Sequence, residues 1–271
     1  MIKRDLLSIV RLSDNGGLVY AGGIEEDGMI LTGEARSPAT GDTYKIKNGY
    51  LDLLSARTGA DNVANLTNFL PGAGRGYEPL WRKRSLSLLT GELFPNEREI
   101  EIVTSLVRPV RGGRYLDLGC SSGLYTRSLA SELGDAVGID ISPSMLREAA
   151  RRSRRSGAKP SFIRASAASL PFIDASFAGA VCGGSLNEFG DPARVMRETR
   201  RILEPGGRLA IMGILRASTP GGHRLQRLLS RGGLKFFDPD EVHSLLDHAG
   251  FEPDTVQTHG PVFFAGATSR T

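Results

Sequence analysis

Residues 113–130, GRYLDLGCSSGLYTRSLA, constrain the fold of this chain more than any other stretch. An apolar run ends in Asp117, a loop of small residues follows, and helix-forming residues resume at Leu124. A strand, a tight turn and a helix in that order place the turn at the carboxyl end of a strand, where open α/β sheets bind nucleotides. The same alternation continues downstream. AVGIDIS, SFIRAS, FAGAVCGG and GRLAIMGIL read as buried strands; SPSMLREAARRSRRSG reads as a helix opened by an N-cap serine with Pro143 behind it, DPARVMRETRRILEPGG as one with apolar positions at helical spacing and a Pro-Gly-Gly stop, and DPDEVHSLLDHAGF as another helix. DTVQTHG and PVFFAGAT close the chain as strands. The pattern predicts an α/β fold: a mostly parallel sheet with helices on both faces.

The first part of the chain differs. Residues 1–56 carry glycine, turn residues and short alternating runs such as TYKIKNGYLDLL, which predict a small β-rich appendage. Residues 57–93 hold the irregular FLPGAGRGYEPLW and then the helix-like RKRSLSLL, and read as a linker or lid. Residues 94–271 make the main domain, opened by the amphipathic PNEREIEIVTSLVRP.

Composition excludes several functions. No apolar run reaches the ~18 residues of a membrane span, and Leu6–Val10 is too short for a secretory signal, so a cytoplasmic protein is expected. Two distant cysteines, Cys120 and Cys182, exclude a disulfide framework and a cysteine-rich zinc site, and the four histidines lack metal-ligand spacing. The net charge of +4 is mild. Its densest cluster, Arg147 with Arg151, Arg152, Arg154 and Arg155, falls near a helix C-terminus, where cations are solvated and complement the dipole.

The loop after Asp117 does not suit a dinucleotide. Ser121 and Leu124 occupy the places of the second and third glycines of G-x-G-x-x-G, and the P-loop lysine is missing. A carboxylate two residues before the turn repels pyrophosphate and attracts a cation. A nucleoside with a positive group and no phosphate fits better, and S-adenosylmethionine is such a ligand. Asp140, 23 residues after Asp117, ends the second strand where an acid can accept hydrogen bonds from ribose hydroxyls, while Ser142 is the better cap for the next helix.

DLGCSSGLYTRSL resembles the first motif of class I S-adenosylmethionine-dependent methyltransferases, D/E-x-G-x-G-x-G. GIDISPSML is similar to their second motif, ASAASLPFIDASF to their third, and RETRRILEPGGRLAIMGI to the helix and strand that follow. The resemblance covers about residues 95 to 270, with the nearest likeness to quinone-biosynthesis methyltransferases. It implies a Rossmann-like sheet of seven strands. It also implies that Asp117, Gly119 and Gly123 shape the methionine end with Cys120 backbone, that Asp140 holds the ribose, and that Ile141 and Met145 flank the adenine. Ser121 replaces the middle glycine. Ser166, beside Ala167, stands where many members carry an aspartate for the adenine amino group, and Ala178 where an aspartate often opens the fourth strand.

ARSPATGDTYKIKNGYLDLL is similar to a zinc ribbon that precedes some methyltransferases, with Ser37 and Thr40 at cysteine positions. Neither hydroxyl is a credible zinc ligand, so a metal-free relic is expected. Asn187 and Glu188, in SLNEFGDP, lie where acceptors sit in the related enzymes, and no catalytic base is assigned. Tyr77 and Trp81, spaced i, i+4, are candidates for an apolar acceptor pocket. Three functions remain open at this point: a methyltransferase acting on a small, fairly apolar acceptor (quinone-, phenol- or natural-product-like); an RNA (guanine) methyltransferase; and a non-catalytic S-adenosylmethionine-binding protein. The oligomeric state is not set by the sequence.

Overall fold

A computed structural model describes residues 1–12, 16–54 and 83–270. The amino-terminal part contributes β1 (Ile2–Lys3), a short 3-10 helix (Arg4–Ile9), β2 (Val19–Glu26), β3 (Met29–Arg36), β4 (Thr43–Lys47) and β5 (Tyr50–Asp52). Helices α1 (Lys83–Thr90) and α2 (Asn96–Val107) lead into β6 (Tyr115–Leu118), α3 (Leu124–Leu133), β7 (Ala136–Asp140), α4 (Pro143–Ser156) and β8 (Ser161–Arg164). The second half follows with β9 (Phe177–Gly183), α5 (Pro192–Ile202), β10 (Leu203–Ile214), α6 (Pro220–Ser230), α7 (Pro239–His248), β11 (Phe251–His259) and β12 (Val262–Ser269).

Seven strands in the order β8-β7-β6-β9-β10-β12-β11 form the expected Rossmann-like sheet, parallel through β10 and antiparallel at its last two strands. The period-two alternation of the strands explains why they read as unbroken apolar runs. Leu116, Leu118, Ala180, Cys182, Leu209 and Ile211 pack on the face covered by α5 and α7. Tyr115, Val181, Ala210 and Met212, one position out of step, pack on the face covered by α2 and α3. Both faces are dry, so the strand positions are apolar with few exceptions, Asp117 and Arg208 among them. Asp117, in register with Tyr115, therefore points toward α2 and α3.

The amino-terminal strands extend the same sheet. β5 runs parallel to β8 through Leu51↔Ile163 and Asp52↔Arg164, and β4, β3 and β1 continue outward, with β2 also on β3. Ile2, Ile30, Ile46 and Leu51 share a core cluster with Ile139 and Ile163. The run Leu6–Val10 lies largely in the 3-10 helix, whose Leu6 and Leu7 are buried. In the turn after β3, Ser37 is buried and its Oγ accepts from the Thr40 amide (3.2 Å), while Thr40 Oγ1 donates to Asp42 (2.8 Å). The hydroxyls at the cysteine positions thus close the turn.

Helix starts follow their caps. Ser142 Oγ accepts from the Met145 amide (3.3 Å) ahead of α4, Asp191 accepts from the Arg194 amide (2.9 Å) ahead of α5, and Asp238 with Glu241 forms a capping box on α7, each followed by proline. α6 is absent from the sequence reading because all its residues are partly or fully exposed and it shows no core-facing stripe.

Arg208 of β10 crosses from sheet to helix. Its guanidinium donates to the Leu106 carbonyl at the end of α2 (2.9 Å), to Asp254 and to Thr268. The hydrogen bond from Arg208 holds the Asp254 carboxyl below its usual range. A carboxylate with a depressed folded-state pKa stabilises the fold above its unfolded value of 3.8, and that contribution is lost as pH falls through the folded value. Arg208→Met is expected to cost about 2–3 kcal/mol and to flatten the acid limb of the stability profile, as read from urea midpoints across pH.

Candidate functional site

The strand order reverses between β6 and β9, and the site lies at the carboxyl ends around that switch point. One cavity of about 290 Å³ is lined by the end of β7 (Asp140, Ile141), by Ala165–Ala168 after β8, and by Glu188, Phe189 and Val195. A second, of about 210 Å³, lies against Asp117, the Cys120–Ser122 loop, Tyr125, Gly183 and the apolar Leu86, Leu89, Met212, Ile214 and Leu234. Gly119, Asp140, Ser185 and Glu188 line both, so the two cavities meet across Gly119 and Asp140.

The loop geometry is set by three residues in the left-handed region: Gly119 (φ 63°), Ser121 (φ 51°) and Gly123 (φ 78°). A Cβ at Gly119 would come within 2.5 Å of Ser185 Oγ, whose hydroxyl donates to the Gly119 carbonyl (3.0 Å). A Cβ at Gly123 would come within 2.9 Å of Ala149. Ser121, at the usual middle glycine, carries the strain of a side chain in a backbone region that favours glycine. Its amide donates to Asp140 Oδ2 (2.8 Å), which holds the conformation.

Asp140 is the junction residue. Besides Ser121, the Ser142 amide donates to its Oδ1 (2.8 Å), so the carboxylate is fixed by two backbone donors from two different elements. Burial pushes its pKa above the ordinary aspartate range against the pull of those amides.

Asp117 differs from its sequence reading. The carboxylate is almost completely buried, and its Oδ2 accepts from the Thr126 amide (3.0 Å) and hydroxyl (2.6 Å) in the first turn of α3. It lines the second cavity, but this oxygen serves the helix N-terminus rather than standing open to a cation. Cys120 and Cys182 are buried, and desolvation pushes both thiols up, so neither is a nucleophile.

Ile141, Ser166 and Ala167 line the first cavity as expected. Ser166 Oγ accepts from the Ala168 amide (3.3 Å). Met145 is buried in the first turn of α4 and is not among the residues lining either cavity. Glu188 faces both cavities. Asn187 does not present its amide to an acceptor. Its Nδ2 donates to the carbonyls of Ile214 (2.9 Å) and Lys235 (2.6 Å), and its Oδ1 accepts from the Ile214 amide (2.8 Å), which ties the end of β10 to the segment after α6. Tyr77 and Trp81 lie outside the described residues.

Three functional positions escaped the sequence reading. Tyr125, on the first turn of α3, forms a wall of the second cavity and donates to the buried Glu99 of α2. The signal was a glutamate on the apolar stripe of α2, with Val103 and Leu106 at i+4 and i+7. Arg164, at the end of β8, was the third. Its guanidinium meets Asp52 of β5 (3.1 Å) and donates to the Leu54 carbonyl (3.3 Å) and the Ile141 carbonyl (3.0 Å). An amino-terminal strand thereby braces the rim of the first cavity.

These residues fit a sulfonium nucleoside. The fixed carboxylate at a strand tip suits a ribose, the apolar Ile139, Ile141, Ala165 and Ala167 lie beside it, and Gly119 adds no side chain of its own where the two cavities meet. Residues 116–211 match the family described as "Methyltransferase domain". This match and the relatives below support a class I S-adenosylmethionine-dependent methyltransferase of the quinone type. The ubiquinone biosynthesis O-methyltransferase of Xylella fastidiosa (strain 9a5c) is 30% identical over 158 residues, which span 55% of this chain and 64% of that protein, a little under two thirds of its length. The demethylmenaquinone methyltransferase of Thermotoga maritima is 28% identical over 217 residues, 71% of this chain and 83% of the relative. The solved [4+2]-cyclase SpnF shares the fold with a TM-score of 0.60 at 20% identity, over 79% of this chain and 98% of its own.

Two outcomes are expected. Ser121→Gly should raise stability by about 0.5–1 kcal/mol, seen as a higher thermal midpoint, because the left-handed strain exceeds the added chain entropy. Asp52→Asn should weaken cofactor binding roughly five-fold, about 1 kcal/mol, through the loosened Arg164–Ile141 contact, with turnover at saturating cofactor unchanged.

Proposed function

We propose that the protein transfers a methyl group from S-adenosylmethionine to a small, fairly apolar acceptor. The observation that carries this reading is the meeting of the two cavities at Gly119 and Asp140, one suited to an adenosine and the other walled by Leu86, Leu89, Met212, Ile214 and Leu234. In this reading Asp140 accepts from the ribose, and Ile141, Ser166 and Ala167 bound the base. Gly119 through Gly123 admit the methionine end by backbone alone. The cofactor supplies a methyl already activated by its sulfonium. The chain's contribution is alignment, with about 7–11 kcal/mol available from orientation in favourable cases, and exclusion of water by the apolar walls.

The quinone and phenol class of acceptor is supported by the apolar second cavity and by the named activities of the two curated relatives. We assign no general base, since an acidic hydroxyl needs little help. We also infer that residues 1–56 act as a metal-free part of the catalytic fold and that the protein works in the cytoplasm, which the unpaired cysteines support. Among the described residues no helix is long and apolar enough to cross a membrane.

Calorimetric titration with S-adenosylhomocysteine tests the first half of the proposal. Asp140→Ala should bind about 5–150-fold more weakly, a loss of ~1–3 kcal/mol. Wild-type affinity should fall on acidification at a higher pH than an ordinary aspartate would give, because protonation of the raised Asp140 carboxyl removes an acceptor. Unchanged binding in the variant would sink the assignment. Transfer of labelled methyl to a panel of phenols and hydroquinones, against bulk RNA, tests the acceptor class.

A further inference from the structure

Helix α6 stands apart from the rest of the molecule. It touches the body chiefly through Gln226, whose Nε2 donates to the Leu215 carbonyl (2.9 Å) and whose Oε1 accepts from the Ala217 amide (2.8 Å). Leu225, Leu228 and Leu229, at i, i+3 and i+4, share one face and are 58%, 60% and 40% exposed. Arg224, Arg227 and Arg231, at i, i+3 and i+7, lie on the flank of that face and have no ion partner among the described residues. Positions 205–237 contain no aspartate or glutamate at all. The other surface arginine of this segment, Arg216, is already paired with Asp238 and Glu241.

This helix adjoins the mouth of the second cavity. It runs through Arg231, Gly232 and Gly233 to Leu234, which lines that cavity, and the Lys235 amide is held by the Asn187 carbonyl (2.8 Å). Leu89 of α1, another lining residue, is flanked by Leu88 and Leu93, which are 76% and 83% exposed. Apolar side chains therefore stand in solvent next to two separate parts of the cavity wall.

We propose that α6 seats the protein on an anionic phospholipid bilayer. Three leucines on one face and unpaired arginines beside them match an interfacial helix, in which apolar side chains enter the acyl boundary and cations meet lipid phosphates. RNA fits less well, because its phosphates would take the arginines and leave the leucines in water. A second copy of the chain fits less well too. A two-fold contact through α6 would bury leucine on leucine but set arginine against arginine. Seated in this way, the second cavity opens toward the bilayer, so an apolar acceptor dissolved in lipid reaches it without crossing water. That last step rests on the acceptor reading above; the docking itself does not.

Co-sedimentation of the full chain with vesicles tests the docking without reference to catalysis. Wild type should pellet with vesicles of equal parts phosphatidylcholine and phosphatidylglycerol, and about tenfold less with phosphatidylcholine alone. The triple variant Leu225→Ser, Leu228→Ser, Leu229→Ser and the triple variant Arg224→Gln, Arg227→Gln, Arg231→Gln should each lose binding about tenfold, with wild-type thermal midpoint and S-adenosylhomocysteine affinity retained. Failure of wild type to pellet with the anionic vesicles would overturn the proposal. So would leucine-variant binding equal to wild type, a wild-type dimer that the leucine variant dissolves, or RNA binding that the leucine variant leaves intact. Loss of cofactor binding in wild type would instead defeat the methyltransferase reading and leave the docking result standing.

Discussion

The arrangement of the site depends on one buried carboxylate. Asp117 sits on a strand whose two faces are both covered, so its charge has no access to bulk water and must be satisfied from within. Thr126 supplies an amide and a hydroxyl from the first turn of α3. That contact fixes how α3 enters the sheet, and with it the five residues between Leu118 and Leu124. The left-handed backbone at Gly119, Ser121 and Gly123 is the path by which the chain turns from strand to helix while keeping this anchor. Asp140 then takes up the outer side of the loop through the Ser121 amide. Two aspartates on adjacent strands thus hold one loop from below and from the side.

The amino-terminal strands do more than decorate the fold. In the sheet order they occupy the edge beyond β8, which would otherwise be left unpaired. Arg164 joins Asp52 to the Ile141 carbonyl and so makes the rim of the first cavity depend on residues far upstream. Ser37 and Thr40 are consistent with this structural use: their hydrogen bonds close a turn, and the strands they join are held by the sheet and by the shared core around Ile30, Ile46 and Leu51.

Much of this was legible in the residues. The alternation of strand and helix after Gly113, the cap at Ser142, and the spacing of Asp117 and Asp140 are local signals with short-range causes, and the fold follows them. Other features depend on long-range partners. Asn187 looked like a rim residue open to an acceptor, yet its amide is used by Ile214 and Lys235, partners in segments that sequence spacing cannot bring together. Asp117 looked free for the same reason. Met145 has the expected place in sequence, but the first turn of α4 buries it. α6 has the residues of an amphipathic helix with its apolar face turned away from the core, so periodicity alone gave no place to put it.

The pairing of β5 with β8 also governs the order in which the chain can fold. Asp52 and its partner Arg164 are 112 residues apart. During synthesis β1 to β5 leave the ribosome first, yet the strand that completes their edge does not exist until α1 to α4, β6 and β7 have been made. Closure of that long loop costs entropy before any contact repays it. The rim of the first cavity is therefore complete only once an early strand has paired with a late one.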